Sequence, residues 1–313
     1  MKDSLTVIVG PTAAGKSDIG IQVAKVVGGE IISGDSVQVY RKLDIGSAKV
    51  VAEQQQGVPH HMIDILDPAE EFSVAMFQER VRELVRQINN RGKIPILVGG
   101  TGLYIRSVLD PYEFPSVEED RRIRAELHRL VDEMGPSALH KLLAEVDPES
   151  AARLHPNDIK RVVRALEVYR LTGEKFSAFQ HSVSREPRLE DSPFRLSYFA
   201  LTAPREIIYR RINTRVDAML EHGLLEEISG LLAEGYAPSF AALQTIGYRH
   251  GVQYLRGFLS RDEMTRLMKR DTRHFAKRQL TWFRRDQRIT WFDVTRMPPE
   301  QIIAQMVERI CSA

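Results

Sequence analysis

The stretch LTVIVGPTAAGKS, Leu5 to Ser17, constrains the fold of this chain more than any other. Leu5 to Val9 is a continuous apolar, largely β-branched run, as expected of a strand covered on both faces. It ends in G-x-x-x-x-G-K-[ST], Gly10 to Ser17, and helix-forming residues follow to about Val27. A glycine loop between a strand and a helix is a phosphate cradle, the P-loop. Gly10 and Gly15 permit a tight turn whose backbone N–H groups converge on an anion. The helix starts there, so its positive end faces the phosphate. Lys16 adds a point charge, and the Ser17 hydroxyl is a candidate ligand for Mg²⁺. The bland alternative, a glycine turn with an incidental Lys-Ser, does not account for the strand in front of it.

Further buried strands are expected at Glu30–Ser33 and Ile94–Gly100, with a helix from Ser73 to Arg91 between them. Ser73 is its N-cap and Gly92 its stop. Such alternation implies a parallel sheet with right-handed crossovers. The pattern breaks after Tyr112. From about Glu118 to Gln180 the residues are helical, charged and strand-free, punctuated by Gly135-Pro136, Asp147-Pro148 and His155-Pro156. A Pro-rich, acidic loop from Glu186 to Pro193 closes this section. Strands resume at Phe194–Leu201 and Ile289–Val294, and a last helix starts at Pro298. The expected class is α/β, a P-loop NTPase-like parallel sheet core with a helical insertion domain. Its parts are residues 1–112 (first part of the core), 113–193 (insertion) and 194–313 (second part, with a basic C-terminal helix).

The 313 residues carry a net charge of only +2, so a polyanionic partner must be argued from local clustering. The single Cys311 excludes an internal disulfide framework and a cysteine-based zinc site, and fits a reducing, cytoplasmic compartment. The N-terminal residues leave too little room before the cradle for a signal peptide, and no apolar run reaches the ~20 residues of a membrane span. His60-His61 and the other histidines show no metal-ligand spacing. Monomer is the default expectation.

Two features bear on the reaction. In most P-loop NTPases a second buried strand ends in an Asp that holds Mg²⁺. Here Ile94–Gly100 runs instead into Thr101, which argues against a plain ATPase or GTPase. GDSVQVY, Gly34 to Tyr40, follows a strand directly, so Asp35 opens beside the cradle at the carboxyl edge of the sheet. A carboxylate there takes a metal or a proton; equally, Asp-Ser is common turn chemistry. Arg211 and Arg215 stand four apart and share a helix face. Residues 261–288 hold ten Lys or Arg against four acids. At about 100° per residue, Arg266, Arg270, Arg273, Lys277 and Arg284 fall within about 40° of one line, with Met264, Met268, Phe275 and Trp282 opposite. Such a row suits a phosphate backbone; it also describes an ordinary amphipathic helix. Lys160, Arg161 and Arg164 lie early in a helix capped by Asn157 and Asp158, where cations oppose the dipole.

GPTAAGKS, GDSVQVYRKLDIGSAK, VPHHMIDILDP, ILVGGTGLYI, HPNDIKRVVRALEV and AKRQLTWFRR occur together and in this order. The chain resembles the bacterial tRNA dimethylallyltransferase family from about Leu5 to Arg285. The resemblance implies a prenyltransferase that moves a dimethylallyl group from dimethylallyl diphosphate to N6 of adenosine 37 in the tRNA anticodon stem-loop. It implies that Gly10, Pro11, Thr12, Ala13, Ala14, Gly15, Lys16, Ser17 and Arg215 bind the diphosphate, with Mg²⁺ as cofactor. It makes Asp35 the base and Thr101 the group that positions the amine. It assigns tRNA contact to Asp35, Ser36, Val37, Gln38, Thr101, Arg124, Ile159, Lys160, Arg161, Val162, Val163, Lys277 and Arg278. The chain departs from the pattern at Lys42, where glycine is common, and at Val50, where proline is usual. Both lie in the loop after Asp35. A small-molecule kinase using ATP and an RNA-binding protein without catalysis are the other classes considered.

Overall fold

The computed structural model describes residues 2–115, 117, 119–180 and 187–312. They form two compact units, Met1–Asp110 with Glu186–Ala313, and Pro111–Arg185.

Among the described residues of the first unit, six strands make one sheet in which every pairing is parallel. They are β1 (Ser4–Val9), β2 (Glu30–Gly34), β3 (His60–His61), β4 (Pro95–Gly99), β5 (Arg195–Thr202) and β6 (Thr290–Asp293), in the order β3-β2-β4-β1-β5-β6. The apolar runs read as buried strands are buried: β2 and β4 have no exposed residue. β3 was not expected. It is a two-residue edge strand of histidines, held by Ile31↔His60 and Ile32↔His61 pairing and by a 2.7 Å contact from His61 Nε2 to Glu30.

The helices before the insertion are α1 (Lys16–Val27), α2 (Ala52–Gln55), α3 (Val74–Asn90) and α4 (Gly102–Leu109). Ser73 caps α3 as read, its hydroxyl accepting from the Met76 N–H at 3.2 Å. Phe77, Val81, Val85 and Ile88 form its buried stripe at helical spacing. Each such side chain contributes roughly 1.5–3 kcal/mol by leaving water. Alternate strand residues feed two cores. Leu5, Val7, Val9, Ile32 and Leu97 pack with α3 and α4 on one face. Ile8, Ile31, Ile96 and Val98 pack with α1 on the other.

The second unit has no strand among its described residues; its helices are α5 (Arg121–Met134), α6 (Pro136–Val146), α7 (Pro148–Arg153) and α8 (Ile159–Thr172), followed by a 3-10 turn at Phe176–Gln180. The Gly-Pro and Asp-Pro breaks fall between its helices, and His155-Pro156 precedes α8. Leu127, Leu139, Leu143, Val162, Val163 and Leu166 make its own core. Within the expected insertion, Ser116, Glu118 and residues 181–186 lie outside the described residues. Residues 187–193 belong with the sheet unit, where the Lys2 ammonium donates to the carbonyls of Glu190 and Ser192.

After the insertion come α9 (Arg205–Glu221), α10 (Leu224–Ala233), α11 (Tyr248–Leu255), α12 (Arg261–Phe283) and α13 (Pro299–Ser312). A buried ion cluster ties this half back to α4. The Arg288 guanidinium, side chain 1% exposed, donates to Asp110 at 2.7 Å and to both oxygens of Asp286. Among the described residues no helix is long and apolar enough to cross a membrane.

Candidate active site

Because all the strands run parallel, every β-to-α loop opens at the same edge of the sheet. β2, β4 and β1 are adjacent, so Asp35, Thr101 and the P-loop emerge side by side from their carboxyl ends. The loop has the backbone of an anion nest: Ala13 and Gly15 are left-handed, with φ of 64° and 89°. The Ala14 N–H turns back to the Pro11 carbonyl, and the Thr12 N–H is bound by a side chain. The N–H groups of Ala13, Gly15, Lys16 and Ser17 have no acceptor among the described residues. They sit at the start of α1, where the helix dipole adds positive potential.

The Lys16 ammonium folds onto the Pro11 carbonyl at 2.9 Å. Burial, and to a lesser degree the charge of Arg215, pull its pKa down to about 8 against the opposing pull of Asp35. Arg215 on α9 is near enough for its charge to act on Lys16, and it feels Asp18 in turn. Arg211 and Arg215, on the same helix face, are both exposed.

Asp35 shows the turn reading of the sequence directly. Its Oδ1 accepts from the Val37 N–H at 2.8 Å and more weakly from Gln38 at 3.4 Å, which is turn chemistry. Among the described residues nothing donates to Oδ2. Burial pushes its carboxyl up, against the pull of those N–H groups and of Lys16. Asp35 is half-buried and keeps some solvent contact. Thr101 is the N-cap of α4 by position, yet its hydroxyl does not cap the helix.

The remaining expected contacts divide. Ser36 and Val37 are partly exposed beside Asp35. The Gln38 amide is turned inward, accepting from the Ser33 hydroxyl at 2.9 Å and lying 3.4 Å from the carbonyls of Ser47 and Ala48. Lys277 and Arg278 are exposed on α12. The buried side of α12 is Met264, Met268, Ala276, Gln279 and Phe283; Phe275 and Trp282, expected there, are half-buried. Arg273 is engaged by Asn213 rather than free. In the second unit Lys160 and Arg161 are exposed and Ile159 is half-buried, but Val162 and Val163 point into the core, leaving only their backbone for a partner. Asp158 does not cap α8 with its side chain; it pairs with Arg161 at 3.4 Å. Arg124 is neutralised by Glu119 and by a two-point contact with the fully buried Glu167.

Among the described residues no group of three or more His, Cys, Asp or Glu is arranged to hold a metal. The oxygens near the loop, the Ser17 and Thr101 hydroxyls and the Asp35 carboxylate, are too few for an all-protein cage. They suit a hard cation that arrives on a phosphate and keeps several waters, as Mg²⁺ does.

Fold and site together define a parallel α/β protein with an anion cradle of the P-loop type and a carboxylate beside it. The family model described as IPP transferase matches residues 38–286. A tRNA dimethylallyltransferase of Carboxydothermus hydrogenoformans is 51% identical over 308 residues, covering 98% of this chain and 97% of that one. Among solved structures, the full-length tRNA isopentenylpyrophosphate transferase of Bacillus halodurans superposes with a TM-score of 0.74 at 43% identity, over 99% of this chain and 96% of the other. A eukaryotic dimethylallyltransferase acting on tRNA gives 0.78 at 29% identity, over 98% and 77%. The chain belongs to the IPP transferase family, and it is an enzyme of the prenyltransferase class.

Proposed function

We propose that this chain transfers a dimethylallyl group from dimethylallyl diphosphate to N6 of adenosine 37 in tRNA, releasing diphosphate. The observation that carries the reading is the set of unpartnered N–H groups at Ala13, Gly15, Lys16 and Ser17, with Lys16 and Arg215 beside them and Asp35 at the next strand ends. Thr101 stands after β4, where most P-loop NTPases carry an Asp for Mg²⁺, and this favours a reaction in which the phosphate leaves rather than transfers.

In this scheme the donor's C–O bond breaks and its electron pair departs with the diphosphate. The N–H groups, Lys16 and Arg215 meet the charge that grows on the departing oxygens. A new bond forms between the prenyl carbon and N6, and the N6 proton passes to Asp35. The elevated pKa of Asp35 makes it a stronger base than an exposed aspartate. The Thr101 hydroxyl, unused as a cap, is free to hold the amine in line. Mg²⁺, when bound, supplies further charge neutralisation on the diphosphate, with Ser17 as its protein ligand. The exposed Lys277, Arg278, Lys160 and Arg161 supply phosphate contacts to tRNA. The target base leaves its stack to reach Asp35, at a cost of a few kcal/mol.

The test is label transfer. Label from the prenyl donor should enter tRNA, and label from ATP should enter neither tRNA nor a small molecule. Asp35→Ala should lower kcat by roughly 10²–10⁴. ATP-derived label in a small molecule would instead establish a kinase, and near-normal turnover of the variant would remove Asp35 from the base role.

A further inference from the structure

One buried polar side chain near the cradle has no role in the scheme above. Gln279 lies on the core face of α12, among Met268, Ala276 and Phe283. It is 6% exposed, and both ends of its amide are used. Oε1 accepts from the Thr12 N–H at 2.8 Å, and Nε2 donates to the Gly100 carbonyl at 2.9 Å. Its two partners belong to two different strand ends of the site, the P-loop after β1 and the turn after β4. Burying an amide is costly unless it is fully hydrogen-bonded, and an apolar side chain of the same volume would serve packing without that cost. The polar choice is explained by what it holds.

The surrounding geometry is built for this contact. A Cβ at Gly100 would lie 2.2 Å from Gln279 Nε2, so only glycine admits the bridge there. Within one turn of Gln279 on α12, Trp282 packs on Gly102, where a Cβ would come within 2.4 Å of the indole. The turn carrying Thr101 is therefore moulded onto α12 at both ends. On the P-loop side, the bridge engages the Thr12 N–H, the one donor of the loop bound by a side chain. This donor lies directly before Ala13, Gly15, Lys16 and Ser17, whose N–H groups have no acceptor among the described residues.

We propose that Gln279 is a positioning residue for the donor site: it spans the slot between the P-loop and the Gly100-Thr101 turn and fixes both for diphosphate binding. It acts through Thr12 and Gly100 and touches no reacting atom. Because Lys277 and Arg278 stand on the outer side of the same helical turn, α12 presents one face to the donor slot and another to solvent. The proposal rests on reading the loop as the diphosphate cradle.

The experiment uses the full chain and three variants. Gln279→Met fills the volume without either bond. Gln279→Glu keeps an acceptor for Thr12 but sets an oxygen against the Gly100 carbonyl. Gly100→Ala displaces the amide without altering residue 279. Binding of inorganic pyrophosphate with Mg²⁺ is measured by calorimetry, and KM for the prenyl donor is compared with KM for tRNA. Loss of one such contact set should weaken pyrophosphate binding about tenfold, the scale of one to two hydrogen bonds. Donor KM should rise in parallel while tRNA KM stays near wild type, including in Gln279→Glu, whose buried charge lowers the melting temperature. Should Gln279→Met not fold, the other two variants carry the same decision. Pyrophosphate affinity within twofold of wild type in the folded variants overturns the role. So does a uniform loss of pyrophosphate affinity, tRNA affinity and melting temperature, which marks a merely structural residue. A wild-type chain that fails to bind pyrophosphate sinks the cradle reading itself; a wild type that binds it beside variants that bind equally well sinks only Gln279.

Discussion

Lys16 with Arg215 at the cradle, and Arg124 with Arg164 in the helical unit, are both pairs of neighbouring cations, and they are handled in opposite ways. Arg124 and Arg164 converge on Glu167, whose side chain is fully buried, through contacts of 2.7–3.0 Å. The Asp120 N–H at the start of α5 donates to the same carboxylate. Burial alone would raise the pKa of Glu167, but these donors outweigh it and hold it low. Lys16 and Arg215 form no ion pair among the described residues, and Lys16 is pushed toward neutrality by burial and by its neighbour. A matched cluster locks helices together. An unmatched one stores unfavourable electrostatics that an anion relieves. Cation density in the sequence does not separate the two cases; pairing does.

The sharpest way to break this comparison is to remove one group from each site. Lys16→Met should lower kcat/KM for the donor by roughly 10²–10³, the usual cost of losing a charge-stabilising group. Its melting temperature should equal or exceed that of wild type, because a poorly solvated charge has gone. A variant that melts much earlier would show Lys16 to be structural. Glu167→Ala should do the reverse. Breaking a buried pair costs about 3–5 kcal/mol because the partners are left uncompensated. That loss should appear in the urea unfolding of the chain, while pyrophosphate affinity stays unchanged. The wild-type contribution should itself fade in acid: the folded pKa of Glu167 is depressed, so its stabilisation is present above the unfolded value and disappears as pH falls through the folded one. Equal unfolding midpoints for Glu167→Ala and wild type would dissolve the contrast.

The P-loop was legible in the sequence because its geometry is local. A strand, two glycines, a lysine and a helix start lie within Leu5–Val27, and backbone donors need only that arrangement. Asp35 and Thr101 followed from the parallel sheet, which brings any residue just past a strand to the same edge. Gln279 was not legible. Its partners are 267 and 179 residues away, and a neutral amide in a helix so rich in cations carries no signal of its own. The pairing of Arg124, a tRNA contact by resemblance, was not legible because Glu167 lies 43 residues on, in another helix. β3 escaped because two histidines at a sheet edge show no alternation, and their pairing is set by β2. Lys42 is an intermediate case. Its place in the family pattern belongs to glycine, and its φ is indeed 67°, left-handed backbone that costs a non-glycine residue roughly 1–2 kcal/mol. Its ion pair with Glu234 and its approach to the Tyr236 ring are what the lysine gains there.

The gentlest probe of the unmatched pair is pH, since it changes charge without changing side chains. In the unliganded protein Lys16 is a cation below about 8 and loses its proton as pH rises past that value. Bound diphosphate holds the proton on, so binding above about 8 must take up a proton. Donor kcat/KM, which reports the free enzyme, should therefore fall by up to tenfold per pH unit beyond that point. On the acid side Asp35 governs. Its carboxyl is raised, so it is protonated at a higher pH than an exposed aspartate, and activity should decline earlier in acid than for an ordinary carboxylate base. The two limbs belong to different groups, which makes them separable. Lys16→Met should abolish the alkaline limb and leave the acid one. An alkaline fall that survives in Lys16→Met belongs to another group, and with it goes the claim that the cation at the cradle is held near neutrality to await an anion.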